Sequence, residues 1–187
     1  MKVRLARPIQ SDSIVDGEGI RTVIWTQGCI HNCLGCHNPE THSFKSGFLV
    51  ELDDLKEQVR NLNIQDGVTL SGGDPFCQID ACLEIAMFCQ EIGLNVWCYT
   101  GYTFEQLMIM AKDNSNIIRF LENIDVLVDG KFILTERSLN LKFKGSRNQR
   151  ILDVRKSLKS KKAIIMKKYK NEIIYNNIMR QEKYLFV

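Results

Sequence analysis

The chain has 187 residues, 44% of them apolar and 25% charged, with 12 Gly and only 3 Pro. That composition fits a single domain with a real hydrophobic core and excludes a disordered chain, a collagen-like repeat and a disulfide miniprotein. The formal charge of +3 conceals an asymmetry, because residues 1–154 carry 15 Lys and Arg against 20 Asp and Glu, whereas residues 155–187 carry 10 against 2. The opening Met1-Lys2-Val3-Arg4-Leu5-Ala6-Arg7-Pro8 lacks the apolar run of a signal peptide, and no later stretch approaches the roughly 18 uncharged apolar residues of a membrane span. A cytoplasmic protein with no membrane partner is the expectation. Seven cysteines are an odd number, and in a reducing cytosol they read as ligands or core residues rather than as a disulfide framework.

Taken in order, Thr22 to Thr26 is a β-branched and aromatic run that stops at Gly28, a strand feeding a loop. The loop holds Cys29, Cys33 and Cys36. Leu52 to Leu62 has an amphipathic helical pattern, and Gly67 to Leu70 is a short strand that ends in the turn Ser71-Gly72-Gly73-Asp74-Pro75. From Ile79, apolar Cys82, Leu83 and Ala86 repeat with the period of a half-buried helix, which Gly93 ends. Leu94 to Tyr99 is the next strand, Thr103 is a helix N-cap, and Ile124 to Val128 is a further buried strand ending at Asp129-Gly130. Strands alternating with helices imply parallel β-α units with right-handed crossovers, so the loops at the carboxyl ends of the strands share one edge of the sheet. About four such strands are too few for a closed eight-stranded barrel, and the expected fold is α/β, an open or partial TIM-like barrel of parallel β-α units. No internal repeat or linker divides the chain. Residues 1–160 form the main domain, and residues 161–187 a basic extension packed on it, with one edge strand around Ala163-Ile164-Ile165-Met166 and a surface helix after it.

The spacing Cys29-x3-Cys33-x2-Cys36 does not suit one metal on a helix, since seven residues at 1.5 Å place the outer two about 10 Å apart. Gly28, Asn32, Gly35 and Asn38-Pro39 are turn residues, so a loop that curls three sulfurs toward one object is expected. Two objects fit. One is a 4Fe-4S cluster with three protein ligands and one iron left open; the other is a zinc ion held by the three cysteines with His31 or His37.

The three-cysteine spacing resembles the signature of radical S-adenosylmethionine (SAM) enzymes. Further words along residues 1–160 resemble one branch of them. These are Asp16-Gly17-Glu18-Gly19-Ile20-Arg21-Thr22, Thr26-Gln27-Gly28-Cys29, Ser71 to Pro75, Tyr99-Thr100-Gly101-Tyr102-Thr103, Val128-Asp129-Gly130-Lys131-Phe132 and Gly145-Ser146-Arg147-Asn148-Gln149-Arg150. The branch is that of the activating proteins of anaerobic (class III) ribonucleoside-triphosphate reductase. Two positions depart from its pattern: His37 stands where Tyr is frequent, and Arg147 where a small residue is usual. A His after the third cysteine is similar to pyruvate formate-lyase activators, although those carry Glu where Asp74 stands and are longer.

The resemblance implies a SAM molecule chelated to the open iron, one-electron cleavage of its S–C5′ bond, and hydrogen abstraction from a glycine of the reductase's catalytic subunit. The electron would come from a low-potential donor such as flavodoxin or ferredoxin. Cys29, Cys33 and Cys36 would hold the cluster. Gly72, Gly73 and Asp74 would meet the methionyl amino group, although the same residues suit a plain turn with Asp74 as N-cap and Pro75 at the first helical position. Asp129 and Lys131 form an Asp-x-Lys word on the cofactor side, in which Lys131 would be the counter-ion of the SAM carboxylate, with an exposed strand-end lysine as the alternative. Gly35, Cys36 and His37 would contact adenine, and Tyr99 to Thr103 would line the adenosine pocket. Arg21 with Gly17 and Gly19 would touch the cluster edge or the incoming glycine segment, or simply form a turn.

Cys82 and Cys89, seven apart on a helix, read as small core hydrophobes, and Cys77, Cys98 and His42 have no ligand spacing. The basic tail lies beside a net-acidic body without a nucleic-acid motif, which argues against nucleic acid as a partner. It reads as a solvated face, or as lysines (Lys161, Lys162, Lys167 and Lys168) that help docking to an acidic reductase surface. Two rival functions remain at this level: the activating enzyme of another glycyl radical enzyme of pyruvate formate-lyase type, and a noncatalytic zinc or iron–sulfur module.

Overall fold

A computed structural model describes residues 1–170. The expected basic extension therefore lies outside the described residues from position 171 onward. Among the described residues, eight strands form one mixed sheet: β1 (Lys2–Leu5), β2 (Gln10–Ser13), β3 (Arg21–Thr26), β4 (Phe48–Glu51), β5 (Gly67–Gly72), β6 (Asn95–Tyr99), β7 (Val126–Asp129) and β8 (Arg150–Asp153). Their order is β4-β1-β3-β5-β6-β7-β8, with β2 paired to β3 outside this path. β3, β5, β6 and β7 are mutually parallel neighbours, the four strands expected from the apolar runs. The flanking pairs β1–β3, β1–β4, β2–β3 and β7–β8 are antiparallel. The sequence reading did not include these short flanking strands. The anticipated edge strand at 163–166 is reduced to a single bridge between Ile165 and Leu152.

Among the described residues, α1 (Leu52–Arg60), α2 (Ile79–Glu91), α3 (Phe104–Met110) and α4 (Asn116–Glu122) connect strands, and α5 (Val154–Ser160) follows β8. Their local signals are those the residues carry. Leu52, Leu55 and Val59 put one apolar stripe on α1. α3 begins with a capping box, in which the Gln106 amide donates to Thr103 Oγ1 and the Thr103 amide to Gln106 Oε1.

Alternation along the strands sorts their side chains onto two faces. Ile24, Val68, Leu70, Val96, Cys98, Leu127 and Leu152 join the helices in the main core. Trp97, Val126, Val128 and Ile151 form a smaller cluster on the other face with Tyr169, flanked by Tyr99, Phe143 and Met166. Arg21 closes that second face at the amino ends of the strands. It is 1% exposed and donates to Thr69 Oγ1, the Val68 carbonyl and both oxygens of Asn95, with its guanidinium over the Trp97 ring. Burial pushes its pKa down to about 10, still far above neutrality. Arg21 thus plugs the opposite end of the strands from the cysteine loop, and Gly17 is the turn that packs on its side chain.

The carboxyl ends of β3, β5, β6 and β7 open on one side, as parallel connections require. They lead into the cysteine loop, the Gly-Gly-Asp-Pro turn, the Thr100-Gly101 turn and the Gly130-Lys131 segment.

Candidate functional site

These four strand ends surround a cavity of about 390 Å³. Cys29, Cys33, Cys36 and His37 line it from the loop after β3, with Gly72 and Gly73 from β5 and its turn. Tyr99, Thr100 and Gly101 line it after β6, Gly130 and Phe132 after β7, and Gly145 and Gln149 from the segment before β8. Of the site residues read from the sequence, Gly35, Asp74, Tyr102, Thr103, Asp129 and Lys131 are not part of the lining, nor are Gly17, Gly19 and Arg21.

The cysteine loop needs its small and turn-forming residues. Asn32 and Gly35 have positive φ angles of 45° and 73°, the left-handed region that Asn tolerates and Gly prefers. The ends of the loop are tied by backbone bonds from the Gly28 amide to the Thr41 carbonyl and from the Cys29 amide to the His42 carbonyl. Gln27 adds two bonds from its side-chain amide to the carbonyls of Glu40 and Ser43. Against this loop lies the β5 turn. A Cβ on Gly73 would come within 2.3 Å of the Gly28 carbonyl oxygen, so glycine there lets two backbones touch.

All three loop thiols are partly exposed. Burial raises the pKa of Cys29 and of Cys33, and the nearby Asp74 charge adds to both, while Lys131 opposes the rise at Cys33. Among the described residues no three His, Cys, Asp or Glu side chains converge on one metal ion. Two ring nitrogens of lining residues, Trp25 Nε1 and His42 Nε2, are buried with no hydrogen-bond partner among the described residues.

Asp74 is outside the lining, and its carboxylate bonds three lining residues, His31, Thr100 and Gly101. It is completely buried. Its Oδ1 caps the following helical turn by accepting from the Phe76 amide at 2.9 Å, and its Oδ2 accepts from Thr100 Oγ1 at 2.9 Å and the Gly101 amide at 3.0 Å. The helix-cap alternative for this turn is therefore present, with Pro75 following. Asp129 is likewise fully buried, accepting from the Phe104 amide and from Arg150. Lys131 is exposed, and its carbonyl accepts from Asn148 Nδ2. Gln149 donates to the Gly130 carbonyl and accepts from the amides of Gly145 and Ser146, so the Gly145–Arg150 word is a clasp on the β7 end.

His37 packs on Phe132, with ring centroids 4.9 Å apart. The sequence reading missed Trp25, His42 and Phe132 as lining residues, and gave His31 no role beyond that of a zinc ligand. Only the position of Trp25 at the end of the strand that feeds the cysteine loop could have marked it. The other cysteines are core thiols. Cys82, Cys89 and Cys98 are fully buried, and burial lifts Cys89 to about 12 and Cys82 and Cys98 further. Cys77 is half-buried and also raised to about 12, by burial first and by the Asp74 charge second.

No helix among the described residues is long and apolar enough to cross a membrane. A family model described as a 4Fe-4S single cluster domain matches residues 15–152, which contain every loop of the cavity. The chain is similar to three curated proteins that bear one name, anaerobic ribonucleoside-triphosphate reductase-activating protein. The Haemophilus influenzae protein is 34% identical over 147 residues, covering 73% of this chain and 89% of its own length. The Vibrio cholerae protein is 35% identical over 146 residues, with coverage of 73% and 89%. The protein of Enterobacteria phage T4 is 32% identical over 146 residues, with coverage of 73% and 86%. With the cysteine loop, its cavity and these relatives in agreement, the chain belongs to the family of anaerobic ribonucleoside-triphosphate reductase-activating proteins and carries that family's 4Fe-4S cluster domain.

Proposed function

We propose that this chain is a radical SAM activase that generates a glycyl radical on anaerobic ribonucleoside-triphosphate reductase. The observation that carries the reading is the meeting of three thiols and the carboxyl ends of four parallel strands at one cavity. Cys29, Cys33 and Cys36 would hold a 4Fe-4S cluster, one thiolate to each of three irons. The match of residues 15–152 to a 4Fe-4S single cluster domain supports a cluster over zinc. The unpartnered Trp25 and His42 nitrogens fit a site completed by a polar guest, since leaving such groups unpaired costs about 1–3 kcal/mol each. The parallel core with its loops on one edge supports the open TIM-like barrel expected of this chemistry.

A cluster held there would supply one electron, drawn from an external low-potential donor, to the sulfonium of bound SAM, chemistry that breaks the S–C5′ bond to methionine and a 5′-deoxyadenosyl radical able to take a hydrogen atom from a glycine α-carbon. The protein's part is to bind, orient and exclude water. Gly72 and Gly73 bring bare backbone to the cavity wall where a methionyl amino group would seat. Asp74, whose oxygens are already occupied, stiffens that wall rather than pairing with the ammonium. His37 on Phe132 and the Tyr99–Gly101 turn provide the flat and backbone surfaces that suit an adenosine.

The test is anaerobic incubation of the reconstituted chain with SAM, a reductant and the catalytic subunit of the reductase, read by electron paramagnetic resonance. A glycyl radical on the reductase is the expected result. A radical on a pyruvate formate-lyase-type protein and none on the reductase would redirect the partner, and a colourless protein that binds zinc alone would end the reading.

A further inference from the structure

His31 lies between the first two cysteines of the loop, where its neighbour Ile30 is 60% exposed, and Leu34 just past Cys33 is 80% exposed, so these apolar side chains do not anchor the loop. Its side chain is nonetheless only 5% exposed. Nε2 lies 2.7 Å from Asp74 Oδ2, and the ring stands edge-on to Tyr102 with centroids 4.6 Å apart. Room for the ring exists because position 101 is glycine; a Cβ there would come within 2.3 Å of it. Asp74 in turn is fixed by Thr100, Gly101 and Phe76, which belong to the turns after β6 and β5. One buried carboxylate thus joins three separate loops, and His31 is the contribution of the cysteine loop.

We infer that His31 is a positioning residue, whose Nε2–H bond to the Asp74 carboxylate braces the Cys29–Cys33 span against the β5 and β6 turns and presents the thiols in the arrangement the cluster requires. The inference rests on the reading of the loop as a 4Fe-4S site. The carboxylate only accepts, so Nε2 carries the proton and donates. Partners one step removed from a metal's ligands fix ligand orientation, and their loss typically costs 10–100-fold in metal affinity. A corollary concerns Asp74, which serves the site through His31 and the two turns and not by contact with SAM.

The full chain is reconstituted anaerobically as wild type, His31→Phe and His31→Gln. Phe keeps a ring against Tyr102 and deletes the donor, whereas Gln gives up the ring and keeps an N–H donor. Circular dichroism of the metal-free forms checks that each is folded, and Gln serves as the folded reference should Phe fail. The readouts are the rate of iron loss to a chelator and the paramagnetic spectrum of the reduced cluster. The expected result is iron loss about 10–100-fold faster in His31→Phe with an altered spectrum, and rates and spectrum close to wild type in His31→Gln. Wild-type retention in His31→Phe, or equal impairment of both variants, would overturn the brace while leaving the cluster in place. A wild-type chain that takes up no iron would overturn the cluster and the brace together.

Discussion

Arg150 grips Asp129 through two nitrogens, Nε at 2.9 Å from Oδ1 and Nη2 at 2.5 Å from Oδ2, and so fastens β8 to β7 beside the amino end of α3. The carboxylate that the sequence suggested for the cofactor side is spent on the fold. Asp129→Ala is expected to destabilise by about 1–3 kcal/mol, because it removes the buried acceptor of the Phe104 amide and one of the two carboxylates that Arg150 holds. Lys131→Ala, two residues on and exposed, is expected to stay within about 0.5 kcal/mol of wild type. Urea unfolding of the two variants compares them directly.

Glu105 extends the same cluster toward solvent. Its hydrogen bond from Arg150 is the largest influence on it and holds its carboxyl below the usual range, against a smaller opposing effect of burial. The ionised form is therefore favoured in the folded state, so the stabilisation is fully present above the unfolded value of 4.5 and is lost as pH falls through the lower folded value. Because the side chain is 54% exposed, the contribution is discounted to about 0.2–1 kcal/mol and weakens with salt. Glu105→Gln should lower stability at pH 7 and low salt, with the difference from wild type closing below pH 4. A difference independent of pH would contradict the ion pair.

Six of the seven cysteines should separate into two groups under alkylation. In metal-free protein at pH 8, mass spectrometry should find Cys29, Cys33 and Cys36 modified well before Cys82, Cys89 and Cys98, whose burial raises the thiol pKa and bars the reagent. Loading with iron and sulfide should protect the first group alone. Correspondingly, alanine at any one of the three loop cysteines should remove the cluster, whereas Cys89→Ala should keep it.

Gly73→Ala tests the contact between the two loops. The added methyl would meet the Gly28 carbonyl at 2.3 Å, backbone against backbone, so one loop must move. Iron content after reconstitution should fall severalfold even if the far-ultraviolet circular dichroism spectrum is preserved.

Much of this arrangement was legible because it is local. The parallel strands β3, β5, β6 and β7 announce themselves as β-branched and apolar runs, and the α3 capping box is written in Thr103 and Gln106. The cysteine loop follows from turn residues and sulfur spacing. The flanking strands were not legible, because Gln10–Ser13 has a mainly polar, exposed pattern and Arg150–Asp153 is too short to show a period. Nor were the partners of the buried carboxylates. Asp74 meets a histidine 43 residues away and Asp129 an arginine 21 residues away, and no local pattern distinguishes a carboxylate so occupied from one facing a ligand. The tail lysines show the same limit, since Lys168 bonds Glu18 across the fold and is not simply part of a free basic face.

The most direct test of the chemistry is the amount of 5′-deoxyadenosine formed by anaerobically reconstituted protein given SAM and a strong reductant. The expected result is 5′-deoxyadenosine and methionine in equal amounts from wild type, and none from Cys33→Ala. Protein that holds its full complement of iron and sulfide yet leaves SAM intact, with the reductase present, would contradict the assignment.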